Sequence, residues 1–130
     1  MHPEDNIIVL PGYSVEDKPK IYIAGPMSGI PELNHPAFNE VAEAFREGGW
    51  EVFNPAELDV EMYKNTKNTL EAIAADRGLF LHTTLSTDLE WIYEEADAIA
   101  MLPGWEKSLG ARAEHATAVA LDLQIIYIED

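Results

Sequence analysis

Short apolar runs, each stopped by turn-forming residues, recur along the chain. They are Ile21-Tyr22-Ile23-Ala24 before Gly25-Pro26, residues 50–53 before Asn54-Pro55, Ala98-Ile99-Ala100-Met101-Leu102 before Pro103-Gly104, and Ile125-Ile126-Tyr127-Ile128. Runs of this length and composition predict buried strands. Between the first two, Ala37, Phe38, Val41, Ala42 and Phe45 recur at helical spacing, with Glu40, Glu43 and Glu47 on the opposite face. This predicts a helix over 36–47, with Pro36 suited to its first turn and Gly48-Gly49 ending it. Residues 88–95 and the alanine-rich 110–121 predict two more helices, and within 56–84 only 69–75 carries a helical signal. Residues 1–18 mix a short apolar run with Pro11, Gly12 and charges, and read as an arm or hairpin ahead of one domain over 19–130.

Strands alternating with helices call for a parallel sheet joined by right-handed crossovers. The expected fold is therefore α/β, a small doubly wound parallel sheet in a three-layer sandwich, with a strand order that the pattern does not contain. Ligands of such sheets bind outside the carboxyl ends of the strands. Three loops meet that description: Gly25-Pro26-Met27-Ser28-Gly29, the turn at Asn54-Pro55, and residues 103–110.

Composition narrows the partners. With 8 Lys and Arg against 24 Asp and Glu, the 130-residue chain carries a formal charge of −16, split equally between its halves. A polymeric nucleic acid or an anionic membrane surface needs a basic face that this chain has too few cations to build. The most direct reading of the acid is solubility and mutual repulsion. At 47% hydrophobic residues the chain has the material for a core. Cysteine is absent, which removes disulfides, thiolate metal sites and Cys nucleophiles. The start has no positive n-region and no apolar run nears the ~18 residues of a membrane span, so a cytoplasmic globular domain is expected. His2, His35, His82 and His115 have no metal-ligand spacing, and neither GxGxxG nor GxxxxGK[ST] occurs. No metal or cofactor is therefore expected.

The loop 103–110 carries the most chemistry. Ser108 and Gly110 stand where a helix begins, and its N–H groups and dipole favour an anion there. Residues 104–115 balance Lys107 and Arg112 against Glu106 and Glu114, so a phosphate is tolerated here more easily than elsewhere. Ser108 is equally suited to be a helix cap and nothing more. Glu114, one turn in among small residues, is either exposed on a rim or placed for use. Asp88 is either the cap of the helix over 88–95 or the second member of a carboxylate pair of the kind glycosyl transfer requires. Trp105 either covers a pocket and stacks on a base, worth about 1 to 3 kcal/mol, or packs as an ordinary tryptophan or a subunit contact.

Taken in order, Ile21-Tyr22-Ile23-Ala24-Gly25-Pro26, Gly49-Trp50-Glu51-Val52-Phe53-Asn54-Pro55, Asp88-Leu89 ahead of Ala96-Asp97, and Ser108-Leu109-Gly110-Ala111-Arg112-Ala113-Glu114 resemble the nucleoside 2-deoxyribosyltransferase superfamily. The resemblance runs from about Lys20 to Ile128. It implies a flavodoxin-like, Rossmann-like sandwich and chemistry at the anomeric carbon of a deoxyribose. By position, Glu114 is then the nucleophile, Asp88 supplies the proton to the departing base, and Tyr22 holds Glu114 in line. Gly25, Pro26, Met27, Ser28, Gly29, Asn54, Trp105, Ser108 and Gly110 would line the substrate site.

Where transferases acting on free nucleosides carry an Asp six residues before the nucleophile, this chain has Ser108, as in the branch that hydrolyses nucleoside 5′-monophosphates. A phosphate beside an Asp costs several kcal/mol of repulsion once both are desolvated, which gives the exchange a physical direction. The expected function is an N-glycosidase for a (deoxy)nucleoside 5′-monophosphate working through a glycosyl-Glu intermediate. Base exchange between deoxynucleosides and a non-catalytic nucleotide-binding or sensor module are the alternatives. The resemblance also implies a homodimer or larger homo-oligomer.

Overall fold

The computed structural model describes residues 18–62 and 85–129. The expected arm, save Lys18, and the helix expected over 69–75 lie outside the described residues. Strand β1 (Lys20–Ala24), strand β2 (Glu51–Phe53), strand β3 (Ala98–Met101) and strand β4 (Gln124–Tyr127) pair in the order β2-β1-β3-β4, every pair parallel. Tyr22 stands in register with Phe53 on one side and Ile99 on the other. The order is that of a flavodoxin-like sheet, whose chain reverses direction of winding between β1 and β3.

Period-two alternation gives the sheet two buried faces. Ile21, Ile23, Ala98 and Ala100 point to one side, against Phe38 and Ala42 of helix α1 (His35–Glu47). Tyr22, Ala24, Ile99 and Met101 point to the other. There they meet Ile92 of helix α3, helical over the described residues 85–95, and Ala111 and Ala118 of helix α4 (Leu109–Ala120). Apolar runs buried on both faces are what a parallel sheet covered by helices demands. The result is the three-layer α/β/α sandwich.

Helix α2 (Pro55–Met62) departs from expectation, since the sequence pattern carries no helical signal there. Its weak apolar periodicity conceals it, but its start is legible in retrospect. Asn54 Oδ1 accepts from the Ala56 N–H at 3.0 Å, Pro55 occupies the first helical position, and Glu57 lies in the first turn. Helix α3 is already under way at residue 85, so Asp88 lies inside it and is not its cap. Asp97 ties the entry of β3 to the start of β1: its Oδ2 accepts from the Lys20 N–H at 2.8 Å, and its own N–H donates to the Lys20 carbonyl at 2.8 Å.

Between β1 and α1 the backbone does something no pattern announced. Glu32, Leu33 and Asn34 all have positive φ, at 56°, 53° and 59°. Each such residue costs roughly 1–2 kcal/mol for an L-amino acid, with Asn among the more tolerant. Among the described residues no helix is long and apolar enough to cross a membrane.

Candidate active site

The carboxyl ends of β1 and β3 open onto a recess lined by Tyr22, Gly25, Met27, Asp88, Ser108 and Glu114 among others. Each polar side chain reaches it from a different element. Tyr22 projects from β1 toward the α3 and α4 side, Asp88 comes down from α3, and Glu114 looks back from one turn inside α4. Tyr22 is 1% exposed, Asp88 5% and Glu114 6%. Glu114 is therefore buried in the recess and is not exposed on the rim.

The Tyr22 hydroxyl donates to Glu114 Oε2 at 2.5 Å, and Asp88 lies within hydrogen-bonding reach of the same hydroxyl. Burial pushes the Tyr22 phenol well above its ordinary range, and the negative charge of Glu114 and Asp88 pushes it further the same way. The ring is fixed from behind: it stacks on Phe53 at 5.3 Å, and Trp91 of α3 packs against Phe53 at 5.0 Å. Tyr22 is thus a neutral donor at any ordinary pH, held rigidly beside two buried carboxyl groups.

The recess is small, about 50 Å³. Beside it lies an open groove of about 630 Å³ walled by Pro26, Met27, Ser28, Lys107, Ser108 and Gly110, among others. Met27, Ser108 and Gly110 line both chambers. The arrangement suits a ligand with one compact part at the carboxyl groups and a larger part beside Lys107 and the start of α4.

A family model for a domain of unknown function, DUF4406, matches residues 19–127. The chain belongs to the DUF4406 family. No curated protein and no solved structure matches it. The match spans the whole sheet of this DUF4406 domain, from β1 to the end of β4, and every polar residue of the recess.

Ser108 caps α4, its Oγ accepting from the Ala111 N–H at 3.2 Å, and it also lines both chambers. Lys107 reaches the groove, whereas Arg112 is exposed and lines neither chamber. Asn54 is buried with its side chain engaged, donating to Asn39 Oδ1 at 2.9 Å and capping α2, while its neighbour Pro55 lines the recess. Gly29, with φ 80°, makes the turn after Ser28 and lines neither chamber.

Trp105 also lines neither chamber. It stacks on His115 at 4.2 Å, and His115 Nε2 lies 2.8 Å from the Tyr127 hydroxyl. Within the described residues its ring packs on His115 and Tyr127. Leu85 and Phe38, which line the recess, were not anticipated; Phe38 reads in the sequence only as core of α1. Among the described residues no group of three or more metal-ligating side chains comes together.

Proposed function

We propose that the protein is an N-glycosidase that splits the base from a (deoxy)nucleoside 5′-monophosphate. The observation that carries the reading is one buried hydroxyl shared by two buried carboxyl groups. A phenol has a single proton to donate, and here Glu114 receives it. The Tyr22 oxygen can then accept from Asp88 only if Asp88 carries a proton. The satisfied arrangement is a directional chain in which protonated Asp88 donates to Tyr22 and Tyr22 donates to ionised Glu114. Retaining glycosyl transfer asks for that division, one carboxyl as acid and one as nucleophile.

In the first half-reaction a Glu114 carboxylate oxygen attacks C1′, the bond from C1′ to the base nitrogen breaks, and its electron pair leaves with the base, which takes the Asp88 proton. In the second, Asp88, now a carboxylate, removes a proton from water as the water oxygen attacks C1′, the bond from C1′ to the Glu114 oxygen breaks, and the sugar 5′-phosphate leaves with Glu114 again a carboxylate. Tyr22 keeps its proton throughout and orients Glu114. The 5′-phosphate would lie in the groove at Ser108, Lys107 and the first-turn N–H groups of α4. The sequence resemblance to the nucleoside 2-deoxyribosyltransferase superfamily supports the same roles. Leu109, 77% exposed beside the groove, offers a contact for a second copy of the chain in a homo-oligomer.

Incubation with a panel of nucleotides and nucleosides, with free base followed by chromatography, tests the reading. Release of base with sugar phosphate as the only other product is expected. A new nucleoside appearing when a second free base is added would instead assign base exchange. Saturable binding by calorimetry without turnover would assign a non-catalytic binding module.

A further inference from the structure

Residues 25–30 wall both chambers: Gly25 and Met27 line the recess, and Pro26, Met27, Ser28 and Ile30 line the groove. The start of this loop is fixed by packing, because a β-carbon on Gly25 would stand 2.7 Å from Leu102 Cβ. Its far end is held differently. Three consecutive non-glycine residues, Glu32, Leu33 and Asn34, adopt the left-handed conformation that L-residues rarely string together. Such strain persists only where the surroundings over-determine it.

The surroundings supply several anchors. Leu33 is buried and its N–H donates to the Ile30 carbonyl at 2.9 Å. His35, also buried, sits with Nε2 3.6 Å from Asp59 Oδ2 on α2. Asn34 occupies the N-cap position of α1, yet its side chain makes no capping bond. Its Nδ2 instead reaches back and donates to the Pro26 carbonyl at 2.9 Å. A capping bond is surrendered and a strained backbone is kept, and the bond obtained in return is one to the wall of the two chambers.

We infer that Asn34 is a positioning residue, a clasp that holds the 25–30 loop in place against the recess and the groove. The left-handed turn at Glu32, Leu33 and Asn34 is the backbone form that lets the amide reach back. With Pro26 held, Met27 stands at the junction of the chambers, and the wall is formed before a ligand arrives. Preorganisation of this kind acts on binding more than on the chemical step. The consequence for activity rests on the proposed glycosidase reading, whereas the clasp itself does not.

Two variants separate the clasp from the turn. Asn34→Gly accepts the left-handed backbone without strain but has no amide. Asn34→Asp keeps the size and the backbone tolerance but faces the Pro26 carbonyl with a carboxylate. Hydrogen exchange at the Ile30 amide, which donates to the Met27 carbonyl, is expected to quicken about tenfold in both, as loss of one hydrogen bond allows. The thermal midpoint of Asn34→Gly is expected to match or exceed that of the parent. KM for the nucleotides that the parent cleaves should rise about tenfold in both variants with kcat changing less.

Unchanged exchange in both variants overturns the clasp. So does a KM rise confined to Asn34→Asp, or one that tracks a loss of stability. If the parent cleaves no nucleotide the glycosidase reading falls, and the exchange measurement still decides the clasp.

Discussion

The Tyr22 hydroxyl and the Glu114 carboxylate, 92 residues apart in the chain, meet at 2.5 Å at the carboxyl end of β1. The contact depends on the whole sandwich. Tyr22 must face the α4 side of the sheet, and α4 must cross back over β1 and β3 with its second turn above the strand end. It ties the core to the recess, because the ring that fills the core and the hydroxyl that bonds the carboxylate belong to one side chain.

Tyr22→Phe keeps the ring against Phe53 and Trp91 and removes only the donor. Turnover is expected to fall by about 10- to 100-fold with KM little changed, the scale of a hydrogen bond to a charged group. Stability should fall by about 1–3 kcal/mol, since buried Glu114 loses its donor. Steady-state kinetics and denaturant unfolding check both, and turnover within twofold of the parent would remove Tyr22 from the mechanism.

The raised Tyr22 pKa gives an alkaline signature. Above pH ~10 the phenol of the unfolded chain ionises while that of the folded protein stays protonated. The unfolded state then binds fewer protons, so this contribution to stability is whole below that pH and is lost as pH rises toward the folded-state value. Absorbance titration of the folded protein should show a late-ionising phenol that is missing in Tyr22→Phe, and the variant should lose less stability at alkaline pH. Identical titration curves for parent and variant would contradict the environment assigned to Tyr22.

Ser108 has two expected roles that separate cleanly. Removing the cap in Ser108→Ala should cost about 1 kcal/mol of stability, and Ser108→Gly only a few tenths. If the hydroxyl also holds phosphate, both variants lose about tenfold of the preference for nucleotide over nucleoside, because either change removes the same hydrogen bond. Competition between a nucleotide and its nucleoside measures the ratio. A preference that stays at the parent's value in both variants would leave Ser108 as a cap only.

What could be read from the sequence follows the range of the forces involved. Strands β1 and β3 announce themselves because both of their faces are buried, and α1 because its apolar stripe is regular. The start of α4 shows through its Ser108 cap. Strand order, by contrast, depends on contacts such as Lys20 with Asp97, 77 residues apart, which local pattern does not encode. Helix α2 was hidden by weak periodicity, although Asn54, Pro55 and Glu57 marked its start. Trp105 could not be assigned because its partners, His115 and Tyr127, lie on other elements. The left-handed run at Glu32, Leu33 and Asn34 contains only one residue with a known tolerance for that conformation, so nothing local foretold it. Glu114 and Asp88 were legible as candidates from order and resemblance, and their burial around one hydroxyl needed the fold.

The measurement that bears most directly on the account is release of free base from deoxynucleotides by Glu114→Ala beside the parent, followed by chromatography. Measurable release by the parent and a loss of at least about 10³-fold in the variant are expected, the scale of removing a covalent nucleophile. Release by Glu114→Ala as fast as by the parent would contradict Glu114 as the nucleophile.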